Sequence, residues 1–332
     1  MTTTGSNVTG TAGIVAVDKV GNKIRFYDPQ SLREVGHFDA PEPCAHELAI
    51  SHDHRTAFVP LYGDGIYGAN RNPNNKILVV DLAAQKLADV IVLGDFVAPH
   101  GMVATREGKL WIVCDIPQKL LLVDPVKRAV EAAYDCPAKG PHIVALTPDE
   151  KKLYVSSKEG DLAVFDIAQR KFAASVPMHA PGVTGGNGSG SEGMTPTPDG
   201  KQLLVLDNDK SDLHVIDIAT DREIDRIALT QNPPSNVKRS RLAKLMFSPN
   251  GQHLVATAYA SGLAWLIDAA DFRRQTLVPV AKGPQGIAFA PDGKSVLVSS
   301  HDSGLLTRIS LSDGRVMASY DGGAGIEVLA YY

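Results

Sequence analysis

Three histidines and one glutamate occupy equivalent positions in successive repeats of this sequence. His46, His100, His142 and Glu192 each lie six residues before the position that a turn proline holds in the clearest repeats. Only 10 histidines are present, so three of them in one set of equivalent positions indicate a shared role. Imidazole nitrogen and carboxylate oxygen are ordinary ligands of Zn, Mn, Fe or Co. The pattern therefore predicts a divalent metal site made by these four residues.

Two other interpretations of the histidines stay open. They could line a wet channel and hydrogen-bond to water. They could also transfer protons without a metal, because histidine titrates near neutral pH. On that interpretation His142 is a catalytic residue, and Glu47, which follows His46, is a second base or its orienting partner. A solvated charge at the channel mouth is the alternative interpretation of Glu47.

A second set of polar residues stands at the ends of the second strands of the repeats. We predict that Tyr259 and His301 are catalytic and that the others contact the substrate, and each of them is alternatively an ordinary turn residue. The predicted substrate contacts in this set are Tyr62, Asp115, Lys158 and Asn208. Gln285 and Glu327 hold the positions equivalent to the histidines in the last two repeats, and we predict substrate contacts there too.

Three insertions interrupt the repeats at residues 63–75, 178–191 and 230–242. The second is rich in glycine, which is typical either of a linker or of a mobile lid. It is not a phosphate-binding loop, because no Gly-Lys-Ser/Thr sequence ends it. Arg241 and Lys244, at the end of the third, are predicted to bind a carboxylate or phosphate of the substrate, with a solvated basic loop as the alternative.

The elements that position these residues are short strands. The segment GPHIVALTPDEKKLYVSSKEGDLAVFDIAQRKFAASV at 140–176 contains four apolar runs separated by turn residues. Similar segments recur with a period of about 41 to 54 residues, the range of four-stranded propeller blades. The six copies span 46–93, 100–134, 140–176, 192–229, 243–280 and 283–320.

The two chain ends complete a seventh blade. Residues 13–39 contain three strands without a first one, and residues 325–332 contain a first strand with nothing after it. Pairing them closes the ring and removes the open sheet edges. We therefore predict an all-β, seven-bladed β-propeller of four-stranded antiparallel blades. It would form a single domain over 1–332, with a flexible tail at 1–12.

The repeat resembles the YVTN-type propeller repeat, whose family includes seven-bladed lactonase-like proteins. The resemblance rests on four turn sequences and on an aspartate near the end of each third strand. The turns are Thr147-Pro148-Asp149, Thr197-Pro198-Asp199-Gly200, Ser248-Pro249-Asn250-Gly251 and Ala290-Pro291-Asp292-Gly293. The aspartates are Asp81, Asp124, Asp166, Asp217 and Asp268. These residues are typical of turns, and the resemblance implies the fold and a lactonase-like activity.

Composition excludes several classes of partner. The net charge of −4 gives no electrostatic reason to expect nucleic acid or an anionic membrane. The first residues have no signal-peptide pattern, and no apolar run is long enough to span a membrane. Three cysteines without CxxC spacing are typical of free thiols in a reducing compartment, so a cytoplasmic protein is expected.

The leading hypothesis is an enzyme that acts on a small polar or anionic molecule at one end of the propeller channel. A metal-dependent lactone hydrolase, lyase or isomerase fits the predicted residues. The alternative is a binding scaffold without chemistry, in which the exposed loop residues Tyr67 and Arg71 contact a partner protein.

Overall fold

Seven four-stranded antiparallel sheets are arranged as the blades of a propeller in this computed structural model, which describes residues 13–178, 190–207, 211–229 and 242–332. The predicted fold class is confirmed: the described residues form strands and no helix. No helix in the described part of the chain could cross a membrane. The predicted tail at 1–12 lies outside the described residues.

The strands follow the repeats along the chain. Blade one contains β4 (Ala49–Ile50), β5 (Thr56–Gly63), β6 (Pro73–Asp81) and β7 (Lys86–Val92). Blade two contains β8 (Val97–Ala104), β9 (Leu110–Ile116), β10 (Lys119–Asp124) and β11 (Ala129–Asp135). Blade three contains β12 (Pro141–Leu146), β13 (Lys152–Ser157), β14 (Leu162–Asp166) and β15 (Lys171–Val176).

The second half of the ring has the same order. Blade four contains β16 (Ser191–Pro196), β17 (Gln202–Asp207), β18 (Asp212–Asp217) and β19 (Arg222–Ala228). Blade five contains β20 (Leu242–Phe247), β21 (His253–Ala258), β22 (Leu263–Asp268) and β23 (Gln275–Pro279). Blade six contains β24 (Pro284–Phe289), β25 (Ser295–Ser300), β26 (Leu305–Ser310) and β27 (Val316–Asp321).

The closing blade joins the two ends of the chain as predicted. Its order is β28 (Ile326–Tyr331), β1 (Ile14–Asp18), β2 (Lys23–Tyr27) and β3 (Glu34–Asp39). β28 pairs with β1 from Ile14 opposite Tyr331 to Asp18 opposite Ile326. The C-terminal strand is therefore the innermost strand of a blade whose other strands come from the N-terminal end.

The hydrophobic core lies between the blades. The described residues form seven buried apolar clusters, and each joins side chains of two neighbouring blades. First strands of neighbouring blades also pack against one another, so they are the strands nearest the axis. Because each blade packs against a neighbour on both faces, its middle strands are almost continuously buried.

The repeated turn residues act as the sequence indicated. The Thr147 hydroxyl donates to Asp149 Oδ1 at 2.8 Å and accepts from the Lys152 amide at 3.1 Å. The same bonds recur at Thr197 with Asp199 and at Ser248 with Asn250. These side chains close the turn between the first and second strands. The turn fixes the strand register, and this register sends the residue six positions before the turn proline to the channel.

Candidate functional site

A cavity of about 570 Å³ opens at the end of the channel where the first strands begin. The structure brings together all the predicted site residues that it describes, and all of them line this cavity. They are His46, Glu47, Tyr62, His100, Asp115, His142, Lys158, Glu192, Lys244, Tyr259, Gln285, His301 and Glu327. Asn208 and Arg241, together with most of the predicted lid at 178–191, lie outside the described residues. The roles assigned to these side chains stay predictions.

A β-bulge in the first strand aims the side chains at the axis. The strand register shifts between Pro141 and Val144 in blade three and between Pro284 and Ile287 in blade six. Blades two, four and five have the same shift at His100, Glu192 and Ala243. A bulge breaks the regular alternation of side chains, so it presents the predicted residue to the cavity.

Hydroxyl groups of the second strands stabilise these bulges. The Ile143 amide donates to Ser156 Oγ at 2.8 Å, and the Gly286 amide donates to Ser299 Oγ at 3.0 Å. Glycine follows the channel residue in three blades because the inner strands approach closely there. A Cβ atom on Gly101 would lie 2.2 Å from the carbonyl oxygen of His142.

Blade one departs from this pattern. The predicted first strand is reduced to Ala49 and Ile50, and His46 precedes it in an extended segment. A bridge between Ala45 and Leu61 and a bond from the His46 amide to the Pro60 carbonyl at 3.2 Å hold this segment against β5. His46 therefore reaches the same cavity without a full strand.

The three histidines form one continuous row. Ring centroids lie 4.3 Å apart between His46 and His100 and 4.2 Å apart between His100 and His142. His46 and His100 are buried, although both line the cavity. Tyr62 meets the row edge-on, with its ring 5.2 Å from His100.

Each histidine has an acceptor beside its Nδ1 atom. His46 Nδ1 lies 2.8 Å from Glu327 Oε2, and His100 Nδ1 donates to the His142 carbonyl at 3.1 Å. A carbonyl only accepts, so His100 carries its proton on Nδ1 and its Nε2 is unprotonated. His142 Nδ1 lies 3.0 Å from Glu192 Oε2, close enough for attraction but not aligned for a full hydrogen bond.

Burial keeps two of these imidazoles uncharged. Burial, and then the neighbouring His142 and His46, lower the pKa of His100 well below its ordinary 6.5. Burial and the Lys158 ammonium lower the pKa of His142 to about 4, against the opposing attraction of Glu192. Both rings are therefore neutral at pH 7 and able to accept a proton or a hydrogen bond.

Three lysine–glutamate pairs surround the row. The Lys19, Lys158 and Lys244 ammonium groups lie 3.1, 2.6 and 2.5 Å from carboxylate oxygens of Glu327, Glu192 and Glu47. Burial raises the pKa of Glu327, but attraction to His46 and Lys19 outweighs it and lowers that pKa to about 2. Lys19 and Lys158 thus help to keep the buried carboxylates of Glu327 and Glu192 ionised, and the three pairs place three ammonium groups around the cavity.

Asp115 has the opposite environment. Tyr62 donates a hydrogen bond of 2.5 Å to Asp115 Oδ2. Burial raises the pKa of Asp115 from 3.8 to about 6, although the Tyr62 bond and the Lys158 charge oppose this rise. Asp115 is therefore a carboxyl group that exchanges a proton near neutral pH, which is a property of acid–base residues.

An outer cluster lies at the rim. The Tyr259 hydroxyl donates to Asp302 Oδ1, and His301 Nδ1 lies 3.1 Å from the same oxygen. Burial raises the pKa of Asp302, but the bonds from Tyr259 and His301 outweigh it and lower that pKa. Both aromatic side chains line the cavity, and Asp302 orients them.

The four predicted metal ligands have suitable chemistry. Because Nδ1 of His46 and Nδ1 of His100 each contact an acceptor, Nε2 of each ring is left to coordinate a metal. In the described part of the chain, no group of three or more His, Cys, Asp or Glu side chains is found in an arrangement that could hold a metal ion. Glu192 instead contacts His142 and Lys158. We assign no chemical step to a metal, and a site at His46, His100, His142 and Glu192 stays a prediction.

Sequence reasoning missed several residues that line the cavity. Ile66, Pro141 and Glu159 were not among the predicted site residues, and Tyr67 was predicted only as an exposed loop residue that contacts a partner protein. The insertion at 63–75 was the available signal for Ile66 and Tyr67. Tyr67 is also not a free loop tip, since its ring packs on Gly140 of the blade-three entry.

Comparisons with known proteins agree on the fold. Structures similar to this chain include hydrazine synthase of Kuenenia stuttgartiensis, with a TM-score of 0.69, 16% identity and coverage of 89% of this chain and 92% of that one. A protein of unknown function from Desulfotomaculum acetoxidans has a TM-score of 0.75, 12% identity and coverage of 96% and 98%. The periplasmic gluconolactonase PpgL of Pseudomonas aeruginosa has a TM-score of 0.71, 16% identity and coverage of 96% and 98%.

These identities establish a shared fold and no shared activity. No curated protein matches the sequence. A protein-family description does match, over residues 93–320 and hence about two thirds of the 332-residue chain. The match covers blades two to six, and the YVTN type suggested by the repeats is not the family found. The chain belongs to the family described as outer membrane protein assembly factor BamB.

Proposed function

We propose that this protein is an enzyme that hydrolyses a small polar or anionic lactone in the cavity at the channel mouth, or carries out a related lyase or isomerase step there. One observation carries the proposal: buried neutral imidazoles stand beside three ammonium groups and a carboxyl group that titrates near neutral pH. Such groups supply a base, a site for negative charge and an acid.

The base is the uncharged imidazole of His142. It takes a proton from water as the water oxygen adds to the lactone carbonyl carbon. Glu192, 3.0 Å from His142 Nδ1, stabilises the imidazolium that forms. The low pKa of His142 keeps the base available at neutral pH.

The acid is Asp115. When the ring C–O bond of the lactone breaks, the departing oxygen takes a proton from the Asp115 carboxyl. Tyr62 orients this carboxyl through its 2.5 Å bond. The lysines attract the negative charge that develops on the carbonyl oxygen, and they hold the product carboxylate afterwards. Tyr259 and His301, at the rim, contact the rest of the substrate.

Lactones are the first substrates to test for two reasons. The acid, base and ammonium groups match ester hydrolysis, and a structural neighbour is named a gluconolactonase. That likeness, at 16% identity, suggests the substrate class and carries no residue role.

The second candidate is a non-catalytic binding propeller. It is favoured by the pairing of the cavity carboxylates with lysines, which leaves a site able to hold a ligand without chemistry. The name of the family, an assembly factor, is in keeping with that possibility.

Steady-state kinetics of variants in the histidine row and at the cavity rim distinguish an enzyme from a binding propeller. We expect His142→Gln to lower kcat by at least about 100-fold, since a general base contributes on that order. Tyr259→Phe and His301→Gln should mainly raise KM. Lactone hydrolysis followed by pH-stat titration gives both constants. Absence of turnover with any lactone, while ligands still bind in the cavity, would favour the binding propeller.

A further inference from the structure

The loop between β5 and β6 in blade one is internally ordered. The Asn72 amide donates to Asp64 Oδ1 at 3.0 Å, and the Ala69 amide donates to the Ile66 carbonyl at 2.8 Å. Asn70 Nδ2 donates to the Tyr62 carbonyl at 2.8 Å, which ties the loop to the strand that carries Tyr62. These bonds give residues 64–72 a defined shape.

The loop extends from blade one to the residues at the entry of blade three. The Tyr67 ring packs against Gly140, where an added Cβ would lie 2.5 Å from the ring carbon Cζ. Gly140 also has a φ of +61°, so the position favours glycine for two reasons. Burial and the neighbouring Glu159 carboxylate raise the pKa of Tyr67, so the phenol stays protonated. The loop is thereby fixed across one side of the cavity.

This contact creates an apolar wall in a polar cavity. Ile66 is 68% exposed, yet it lines the cavity together with Tyr67 and with Pro141, which follows Gly140. A single exposed apolar side chain is ordinary on a protein surface. Three apolar groups on one side of a site whose other lining residues are mostly polar or charged form a surface that a ligand can cover.

We infer that the substrate carries a hydrocarbon group which packs on Ile66 and Tyr67 while its carbonyl faces the histidine row. This rests on the proposed function and names the substrate class more closely: a lactone whose polar ring carries an alkyl substituent, and not a polyhydroxylated one. Covering Ile66 removes apolar area from water, which favours binding in proportion to the area buried. Hydroxyl groups placed against Ile66 would lose water without gaining a hydrogen-bond partner from that side chain.

A series of lactones of increasing chain length tests the inference. For the wild type we expect kcat/KM to rise about three- to tenfold from γ-butyrolactone to γ-octalactone. Ile66→Ser should abolish this rise, and Ile66→Leu should retain it. Ile224→Ser is the matched control, because Ile224 is 55% exposed, lies on an outer strand and does not line this cavity. After subtraction of the uncatalysed rates, a higher kcat/KM for glucono-δ-lactone than for δ-octalactone, which has the same ring size, would overturn the inference.

A binding measurement separates this inference from the proposed function. Calorimetric titration with butyrate and octanoate needs no turnover. We expect the wild type to bind octanoate at least threefold more tightly than butyrate, and we expect Ile66→Ser to bind the two acids equally tightly. Chain-length dependence in binding without hydrolysis of any lactone would reject the proposed reaction and support the apolar wall. Absence of a chain-length effect in both assays, or the same effect in Ile66→Ser, overturns the inference.

Discussion

Asp115 is a cavity residue whose charge changes with pH near neutrality. Its carboxyl group is covered by blade one through Tyr62, and burial raises its pKa to about 6. Ionising it inside the cavity costs free energy that ionising it in the unfolded chain does not. Folding stability from this group is therefore fully present below the unfolded pKa of about 3.9 and is lost as pH rises through about 6.

We predict that Asp115→Asn stabilises the protein at alkaline pH and not at acid pH. Asparagine keeps an acceptor for Tyr62 but never ionises. The variant should be more stable than the wild type by about 1–2 kcal/mol at pH 8 and equal to it near pH 4. Urea unfolding at the two pH values measures this difference. A difference independent of pH would show that ionisation of Asp115 is not the cause.

The histidine row also carries the metal prediction. The rings stand 4.2 and 4.3 Å apart, and their Nε2 atoms would have to converge for a metal to bind. Such a metal would bind the native state alone and raise its stability by RT ln(1 + [L]/Kd), about 2.7 kcal/mol at 100 times Kd.

On this prediction, added Zn²⁺ raises the melting temperature of metal-free wild type and leaves that of His100→Ala unchanged. His253→Ala is the control, since His253 lies on β21 and does not line the cavity. Scanning fluorimetry in the presence of Zn, Mn, Fe or Co measures these melting temperatures. If no metal stabilises the wild type, the metal site is rejected, and the steps proposed above are unaffected.

At the scale of the elements, two features position the site: the bulged first strands and the junction of the chain ends. At this junction Asp18 is fully buried and accepts hydrogen bonds from the Gly21 amide at 2.8 Å and from the Gly325 amide at 2.9 Å. Arg25 Nε donates to it at 2.7 Å. The next residue is Lys19, which reaches the cavity, so the junction also supports the site.

We predict that Asp18→Asn destabilises the protein by about 2–4 kcal/mol, because an amide cannot replace a carboxylate among donors and leaves Arg25 less compensated. Burial raises the pKa of Asp18, but the bonds from Gly21, Arg25 and Ala324 outweigh it and lower that pKa. The stabilisation from the Asp18 carboxylate is thus present above the pKa that this group has in the unfolded chain. It is lost as pH falls through the lower pKa of the folded protein. Urea unfolding at pH 7 measures it.

Asp39→Asn is the matched control for that experiment. Asp39 lies in the same blade and pairs with Lys23, but its side chain is 78% exposed. An ion pair this exposed should add little to folding stability, so the urea unfolding midpoint of Asp39→Asn should equal that of the wild type. Equal effects of the two substitutions would mean that the buried junction has no special part in closing the ring.

The elements also show how far a sequence can predict such a site. The repeat spacing aligns His46, His100 and His142 because each blade places its first strand at the same axis. The bulges and the Nδ1 contacts of the histidines depend on atoms from neighbouring strands and blades, which no repeat pattern contains. For the same reason Ile66 was missed and Tyr67 was predicted only as a partner contact: the place of Tyr67 is fixed by its contact with Gly140, two blades away.

At the scale of the whole molecule, the ring makes one cavity from residues distant in sequence. Lys19, Tyr62, Asp115, His142 and Lys244 come from five different blades, and the apolar clusters between the blades fix their separation. A rigid scaffold of this kind can hold acid and base groups in fixed positions without a moving part. The repeats predicted this ring because turn residues and blade length are local properties of the chain.

The pH dependence of lactone hydrolysis tests the central claim most directly. His142 must be unprotonated and Asp115 protonated, with pKa values of about 4 and about 6. We therefore predict a bell-shaped profile of kcat/KM with its maximum near pH 5, measured by pH-stat and corrected with heat-inactivated protein. His142→Gln should lower the whole profile by about 100-fold or more, and His253→Gln should leave it unchanged. Absence of lactone hydrolysis, or hydrolysis that His142→Gln does not slow, would contradict the claim that this cavity is a catalytic site.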